Sequence, residues 1–120
     1  MWLALDSVDE ETGCLRVQPG SHLHGLRSHS ASGTLGFSQC ISDYPNDQER
    51  QQEVALPAEP GDLLVHDAMT IHCANRNRSS DRDRQALGFI YYGSSAKEDA
   101  EAHQSYQRQL AKQLRAEGKI

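Results

Sequence analysis

The sequence predicts a mainly β domain followed by one C-terminal α-helix. Several short apolar runs are separated by turns that contain Pro and Gly, which is typical of strands. The last segment instead carries apolar residues at intervals of four, which is typical of a helix with one buried stripe. We therefore expect a β domain over residues 1–93 and a helix within residues 94–120, packed on or beside that domain.

The strands are predicted from the apolar runs and from the turns that bound them. Pro19 and Gly20 end one run, and Pro60 and Gly61 precede another. The predicted strands cover residues 2–5, 14–17, 54–56, 63–72 and 85–92. Residues 21–39 are rich in Gly, Ser and His without a period, and residues 43–53 are polar, so both segments are predicted as loops.

The C-terminal helix has a predicted start, a stripe and a stop. Ser95 and Glu98 have the spacing of a capping box, and Gly118 is a suitable residue for the end of a helix. The stripe consists of Ala102, Tyr106, Leu110 and Leu114. Such a stripe favours packing on the outside of a sheet, and a dimer-forming helix is the alternative.

Composition limits the classes of protein. The chain has 120 residues, which suits one domain, and its net charge of −5 argues against a nucleic-acid partner. No apolar run is long enough for a membrane span, and the first residues lack the pattern of a signal peptide. The three cysteines have no C-x-x-C spacing, which fits a reducing cytoplasm better than a disulfide framework. We therefore expect a cytoplasmic protein.

His72 and Arg84 are the candidate site residues. A histidine closes the predicted strand 63–72, and an arginine opens the strand that follows the polar loop 75–83. A neutral imidazole is a common metal ligand, and a guanidinium offers a planar fork to a carboxylate. Ala86 and Gly88 share a face with Arg84 and leave room beside it. On neighbouring strands, the pair would hold a metal ion and an acidic cosubstrate together.

Two blocks of sequence resemble a known family. The first runs from Trp2-Leu-Ala-Leu-Asp6 to Gly13-Cys-Leu-Arg-Val-Gln-Pro-Gly-Ser-His22 and Gly25. The second runs from Pro60-Gly-Asp62 through Ile71-His72 and Asn75 to Arg84-Gln-Ala-Leu87. Both blocks resemble the phytanoyl-CoA dioxygenase family, and together they span most of residues 2–92, with residues 26–54 matching poorly.

The resemblance implies a fold, an activity and three residue roles. The family's enzymes use Fe(II) and 2-oxoglutarate on a double-stranded β-helix, a cupin-like jelly roll, so this chain is expected to form part of one. His72 corresponds to the distal histidine of the iron triad. Arg84 corresponds to the arginine that pairs with 2-oxoglutarate, and Trp2 to the aromatic residue at the wall of the cofactor site.

The other two iron ligands of the family are not found. A facial triad needs two histidines and one carboxylate, and the family supplies two of these from a His-x-Asp motif upstream of the Trp2 block. None of the six histidines here is followed by a carboxylate two residues on. His66 and Asp67 are adjacent, so in a regular strand they would point to opposite faces. The sequence thus resembles the C-terminal portion of a dioxygenase.

Three functional interpretations follow. The first is a Fe(II)- and 2-oxoglutarate-dependent oxygenase that hydroxylates a small organic substrate. The second is a non-catalytic remnant or binding module of the same fold. For a partial fold of this kind we expect either a partner that covers the open sheet edges, such as a homodimer, or marginal stability. The third is a cupin-like metal-binding protein that uses His22, His24 and His72. In the first two, this chain alone is expected to be inactive or to bind neither cofactor tightly.

Overall fold

The computed structural model describes residues 1–34 and 37–119, and it is built mainly of short strands. In chain order, the elements are β1 (Trp2–Ala4), β2 (Leu15–Val17), a 3-10 helix (Ser21–His24), β3 (His29–Thr34), β4 (Phe37–Ile41), α1 (Asp47–Gln52), β5 (Val54–Leu56), β6 (Leu63–Leu64), β7 (His72–Ala74), β8 (Ala86–Gly88) and α2 (Ala100–Ala116). The predicted class, mainly β with a C-terminal helix, is confirmed.

Two antiparallel three-stranded sheets form the larger part of the fold. One has the order β6-β1-β8 and the other β5-β2-β7, so the first two strands of the chain are the two central strands. In the first sheet, Trp2 lies opposite Leu64 and Gly88. In the second, Val17 lies opposite Val54 and His72. Trp2 therefore lies on a central strand, His72 lies on a strand that pairs with β2, and Arg84 precedes β8, which pairs with β1.

The buried core is small and lies close to the two central strands. Ala4, Val8, Cys14 and Ala58 are almost inaccessible to solvent, and Val8 and Ala58 exchange backbone hydrogen bonds of 2.8 and 3.0 Å. Trp2, Ala55 and Leu64 pack against this cluster. Small side chains dominate the core, which agrees with the low mean hydropathy of −0.71.

The chain separates into two compact units. Unit 1 comprises Met1–Ser30 and Ile41–Tyr91 and contains both three-stranded sheets. Unit 2 comprises Ala31–Cys40 and Tyr92–Ile120; most of the β3-β4 hairpin and all of α2 belong to it, although Ile120 lies outside the described residues. The predicted boundary between residues 93 and 94 stays a prediction.

The predicted strand over residues 63–72 is wrong in its middle. A turn interrupts it: the Asp67 carboxylate accepts the Met69 N–H at 2.7 Å, and the Thr70 N–H donates to the Asp67 carbonyl at 3.0 Å. An aspartate that binds the backbone two residues ahead competes with a strand ladder. His72 consequently opens the short strand β7 instead of closing a long one. The last predicted strand, 85–92, is likewise reduced to Ala86–Gly88.

Both predicted loops contain regular structure. The segment predicted as a loop over 21–39 holds the 3-10 helix and most of the β3-β4 hairpin, and its residues 35 and 36 lie outside the described residues. The segment 43–53 holds α1, which begins with a capping box formed by Asn46 and Glu49. The β3 and β4 strands are stabilised by backbone pairing and α1 by its capping box. Neither kind of support produces a periodic pattern of apolar residues, so the sequence did not indicate these elements.

The C-terminal helix begins four residues later than the predicted capping box. Asp99, not Ser95, caps α2 by accepting the Ala102 N–H at 2.9 Å. Gly118 ends the helix as predicted, with a φ of 66° and a bond from the Lys119 N–H to the Leu114 carbonyl at 2.9 Å. Among the described residues, no helix is both long enough and apolar enough to cross a membrane.

A largely buried carboxylate links the segment before β5 to β2. Glu53, whose side chain is 8% exposed, accepts from Arg16 Nε at 2.8 Å and from the Tyr44 hydroxyl at 2.7 Å. Burial alone would raise the pKa of Glu53, but the hydrogen bonds from Arg16 and Tyr44 outweigh it and hold the pKa below its ordinary value. Burial and the bond to Glu53 raise the pKa of the Tyr44 hydroxyl.

Replacing the Glu53 carboxylate should destabilise the fold. Glu53→Gln should lower the free energy of unfolding by about 1–3 kcal/mol, because a charge-assisted bond to Arg16 is lost. The folded pKa lies below the ordinary value of 4.5, so the contribution is complete above that pH and is lost as the pH falls below it. Urea unfolding at several pH values measures this. Glu59→Gln, at an exposed glutamate, is the control, and an equal effect in both variants would contradict the prediction.

A close backbone approach at Gly13 supplies a second stability prediction. Gly13 has a φ of +83°, and a Cβ built there would overlap the carbonyl oxygen of Asn75. Gly13→Ala should therefore lower the free energy of unfolding by more than the roughly 1–2 kcal/mol that the left-handed backbone conformation alone would cost. Gly25 has a similar φ of +77° with no atom near its missing Cβ, so Gly25→Ala reports the backbone cost alone. Equal losses in thermal unfolding would show that the Asn75 contact is unimportant.

Candidate functional site

The imidazole of His72 is held in one orientation. His72 lies opposite Val17 at the start of β7, and its Nδ1 is 2.8 Å from the carbonyl oxygen of Thr70. A carbonyl oxygen only accepts hydrogen bonds, so Nδ1 carries the proton and Nε2 carries the lone pair. A hydrogen bond from the second ring nitrogen is the usual support of a metal-binding histidine. The exposed His72 ring thus fits a metal ligand that binds through Nε2.

A second imidazole lies beside it. The ring centroids of His66 and His72 are 4.5 Å apart, with an angle of 44° between the planes. His66 is half-buried, and its Nδ1 is 3.0 Å from the carbonyl oxygen of Asp67. The sequence predicted His66 and His72 on one face of a continuous strand. The rings do come together, but across the Asp67–Thr70 turn.

The guanidinium of Arg84 is anchored by one of its nitrogens. Its Nη1 donates to the Gly13 carbonyl and, at 3.3 Å, to the Asn75 carbonyl. Within the part of the chain that the structure describes, no hydrogen bond from Nε or Nη2 of Arg84 is present. These two groups form one edge of the guanidinium, and that edge can bind both oxygens of a carboxylate. The arrangement therefore fits an anchor for an acidic ligand.

His72 and Arg84 do not lie on neighbouring strands, and that expectation is wrong. β7 pairs with β2, whereas β8, two residues after Arg84, pairs with β1 in the other sheet. The polar segment between them crosses from one sheet to the other, which two adjacent strands would not require. The two residues are linked through Asn75. This residue directly follows β7, the strand of His72, and its carbonyl accepts a hydrogen bond from Arg84.

The loop between the two residues is fastened by charges that the sequence did not single out. Arg82 pairs with Asp9 at 2.9 Å and with Glu11 at 2.6 Å, and the Arg78 N–H donates to the Glu11 carbonyl at 3.0 Å. The hydrogen bond from Arg82, with a further bond from the Thr12 N–H, lowers the pKa of Asp9 to about 2. The predicted solvated loop is thus tied to the turn before β2. The one signal in the sequence for this contact is the opposite charge of the two segments, an acidic turn and a basic loop.

Trp2 occupies the central strand of the other sheet. It is half-buried and packs against the Ala4, Val8, Cys14 and Ala58 cluster. Its sheet is the one that contains β8, so it shares a sheet with the strand after Arg84 and not with His72. Its role in binding a cofactor stays a prediction.

The remaining histidines do not complete a metal site. No group of three or more histidine, cysteine, aspartate or glutamate side chains is placed to hold a metal ion within residues 1–34 and 37–119. His22, His24 and His72 do not form such a group within those ranges, so the expected cupin-like site of these three residues is wrong. His103 pairs with Glu98 at 2.8 Å on the surface of unit 2. Cys14 and Cys73 form no disulfide among the described residues.

Comparisons with known proteins agree with the two sequence blocks. The chain is 35% identical over 98 residues to "Phytanoyl-CoA dioxygenase, peroxisomal" of Rattus norvegicus, covering 78% of this chain and 28% of the rat protein. It is 28% identical over 117 residues to the Mus musculus protein of that name, covering 94% and 33%. A "Phytanoyl-CoA dioxygenase domain-containing protein 1 homolog" of Dictyostelium discoideum is 31% identical over 94 residues, covering 75% and 34%.

The chain matches about a third or less of the length of these relatives. No solved structure matches it. The family model described as "Phytanoyl-CoA dioxygenase (PhyH)" matches residues 1–86, which include His72, Arg84 and both sheets as far as the first residue of β8. The family's cupin-like jelly roll agrees with the two antiparallel sheets, and the chain belongs to the phytanoyl-CoA dioxygenase family.

Proposed function

We propose that this chain is part of a Fe(II)- and 2-oxoglutarate-dependent dioxygenase that hydroxylates a small organic substrate. Membership of a dioxygenase family supports this. The observation that carries it is the state of Arg84, which is anchored through Nη1 and has its other edge without a hydrogen-bond partner among the described residues. A carboxylate such as that of 2-oxoglutarate would fill that edge.

His72 would supply one ligand to the iron. Its Nδ1–H is engaged by Thr70, so the lone pair on Nε2 is fixed in direction before any ion binds. Iron held there would supply the activation of dioxygen, with 2-oxoglutarate as the cosubstrate. The residues of this chain orient the ligands: Thr70 holds the imidazole, and Gly13 and Asn75 hold the guanidinium.

Arg84 would bind the carboxylate of 2-oxoglutarate that does not reach the iron. The turn before β2 and the end of β7 both contribute carbonyls to its Nη1, so the side chain loses little further freedom on binding. β8 begins two residues after Arg84 with Ala86, and no atom lies within 4 Å of the position that a Cβ of Gly88 would take, so this strand carries little side-chain bulk.

A non-catalytic binding module of the same fold is the second candidate. It is favoured by the lack of a three-ligand metal group in the described part of the chain. A site with the Arg84 anchor but only one iron ligand could bind 2-oxoglutarate weakly without oxidising anything. The reading frame immediately upstream of the Met1 codon distinguishes the candidates, because an encoded His-x-Asp there would favour the enzyme.

The open sides of the sheets support a need for further strands. β7 pairs only with β2, and β8 only with β1, within the described residues. Leu3 lies opposite Leu63 and Leu87 on one face, and the latter two are 51% and 47% exposed. Exposed strand edges and apolar faces favour association. They can be covered by additional strands or, as the sequence analysis predicted, by a second copy of the chain.

The site of action in the cell stays a prediction. The sequence favours the cytoplasm because its three cysteines are odd in number and have no C-x-x-C spacing. The rat and mouse relatives carry the word peroxisomal in their names, and a peroxisomal location is therefore the competing proposal.

The test of the proposal is the effect of Arg84 on 2-oxoglutarate binding. Arg84→Ala should reduce the free energy of 2-oxoglutarate binding by about 2–5 kcal/mol where the carboxylate is desolvated. Arg84→Lys should also weaken binding, because an ammonium group cannot form the paired hydrogen bonds of a guanidinium. Saturation-transfer NMR and calorimetry with 2-oxoglutarate measure this on the chain itself.

Arg76→Ala is the matched control, because it removes the same charge from an exposed position of the same loop. It should bind as the unaltered chain does. Equal binding by the Arg84→Ala variant, or no binding by the unaltered chain, would contradict the role of Arg84.

A second prediction concerns iron. The described residues provide no three-ligand group, so this chain alone should form no Fe(II) complex of micromolar affinity, since affinity rises with ligand number. Anaerobic calorimetric titration with Fe(II) measures it. A tight one-to-one complex that disappears in His72→Ala would show that further ligands of iron lie within this chain.

A further inference from the structure

We propose that His66 and His72 form a two-imidazole site for a divalent ion of the late first-row type, such as Zn²⁺. This site goes beyond the proposed function, because His66 has no part in the iron triad implied by the family and the site needs neither Arg84 nor 2-oxoglutarate. The proposal rests on the distance between the rings, on their hydrogen bonds and on the turn that joins them.

The distance between the rings suits a shared ion. Two nitrogens that each lie about 2.0–2.1 Å from one tetrahedral Zn²⁺ are roughly 3.4 Å apart. Because each ring centroid lies about 1.2 Å behind its nitrogen, the centroids of two such ligands are roughly 5 Å apart, so the two rings need only a small outward movement to share an ion. The observed centroid separation of His66 and His72 is 4.5 Å, and the planes are inclined by 44° instead of being stacked in parallel.

Both rings have the same nitrogen available. Nδ1 of His66 donates to the Asp67 carbonyl at 3.0 Å, and Nδ1 of His72 donates to the Thr70 carbonyl at 2.8 Å. Each ring therefore keeps its lone pair on Nε2, and no side chain of the described residues forms a hydrogen bond with either Nε2. A backbone carbonyl on the second nitrogen is the arrangement found around metal-binding histidines.

The turn between the histidines fixes their spacing before the ion arrives. Asp67 accepts the Met69 N–H at 2.7 Å through its side chain and the Thr70 N–H at 3.0 Å through its carbonyl. The same two residues, Asp67 and Thr70, supply the carbonyls that hold the two rings. One short turn thus orients both imidazoles, and little conformational entropy is lost on binding.

The ligand type selects the class of ion. Imidazole suits zinc, copper and nickel, and along the first row the affinity of a nitrogen site for Fe²⁺ is lower than for these ions. Water completes the coordination, since His72 is exposed. An ion held by the pair occupies Nε2 of His72, so such ions compete with iron for this residue.

The experiment is a calorimetric titration of the whole chain with Zn²⁺, followed by NMR of the histidine ring nitrogens. The expected result is one Zn²⁺ per chain with micromolar affinity. Without metal, both rings should show the Nδ1–H form, and Zn²⁺ should shift the Nε2 resonances of His66 and His72 together. His66→Gln and His72→Gln should each weaken binding by about tenfold or more.

His24→Gln is the control, because it removes an exposed histidine outside the pair and should leave Zn²⁺ affinity unchanged. Circular dichroism and thermal unfolding of each variant establish that it is folded. Affinity that survives His66→Gln, or a shift confined to one ring, overturns the proposal. So does binding that is lost only in Cys73→Ser. None of these results alters the binding of 2-oxoglutarate at Arg84, so the proposed function is judged separately.

Discussion

One guanidinium nitrogen joins the two halves of the β structure. Nη1 of Arg84, just before β8, donates to the carbonyls of Gly13 and Asn75, which stand before β2 and after β7. The segment that leads into the sheet of β1 is thereby bound to the backbone that flanks two strands of the sheet of β2. The carbonyl of Asn75 can come this close because residue 13 has no Cβ. The orientation of the free edge of Arg84 depends on this three-way contact.

Charged groups reinforce the same region from both sides. Arg82 binds Asp9 and Glu11 and so keeps the segment after β7 close to the turn before β2. These exposed pairs contribute little individually, but together with the backbone bond from Arg78 to Glu11 they restrict one short loop. On the other face of the second sheet, Arg16 lies opposite Cys73 and binds Glu53. The strand that begins with His72 is therefore supported on the face away from the imidazole.

The candidate site consists of two parts with different kinds of support. The arginine part is fixed by long-range contacts between sheets, whereas the histidine part is fixed by one local turn between Asp67 and Thr70. This difference explains why the two parts can be probed independently. A half-buried imidazole, His66, lies directly beside His72, the proposed iron ligand.

The sequence by itself determined the family, the mainly β class, the approximate positions of β1 and β2 and the end of α2 at Gly118. Each of these depends on a local signal in the sequence. The family follows from the Gly13 to Gly25 and Pro60 to His72 blocks, the strands from apolar runs, and the end of α2 from Gly118, which has a positive φ in the structure. Trp2, His72 and Arg84 could be selected as candidates for the same reason, because motif spacing survives in a linear string. α1, the β3 and β4 strands and the Asp99 cap were missed, since they are stabilised by polar side chains or by backbone pairing without an apolar period.

Only the tertiary structure decided which strands are neighbours. Side-chain alternation along 63–72 predicted a continuous strand, but an Asp67 carboxylate bonded to the backbone produced a turn. His72 lies in one sheet, and Arg84 precedes a strand of the other. The anchor of Arg84, the partners of Glu53 and the pairing of Arg82 with Asp9 all join residues far apart in sequence. Such contacts leave no periodic trace in the chain, because their geometry is set by folding of the whole domain and not by local propensity.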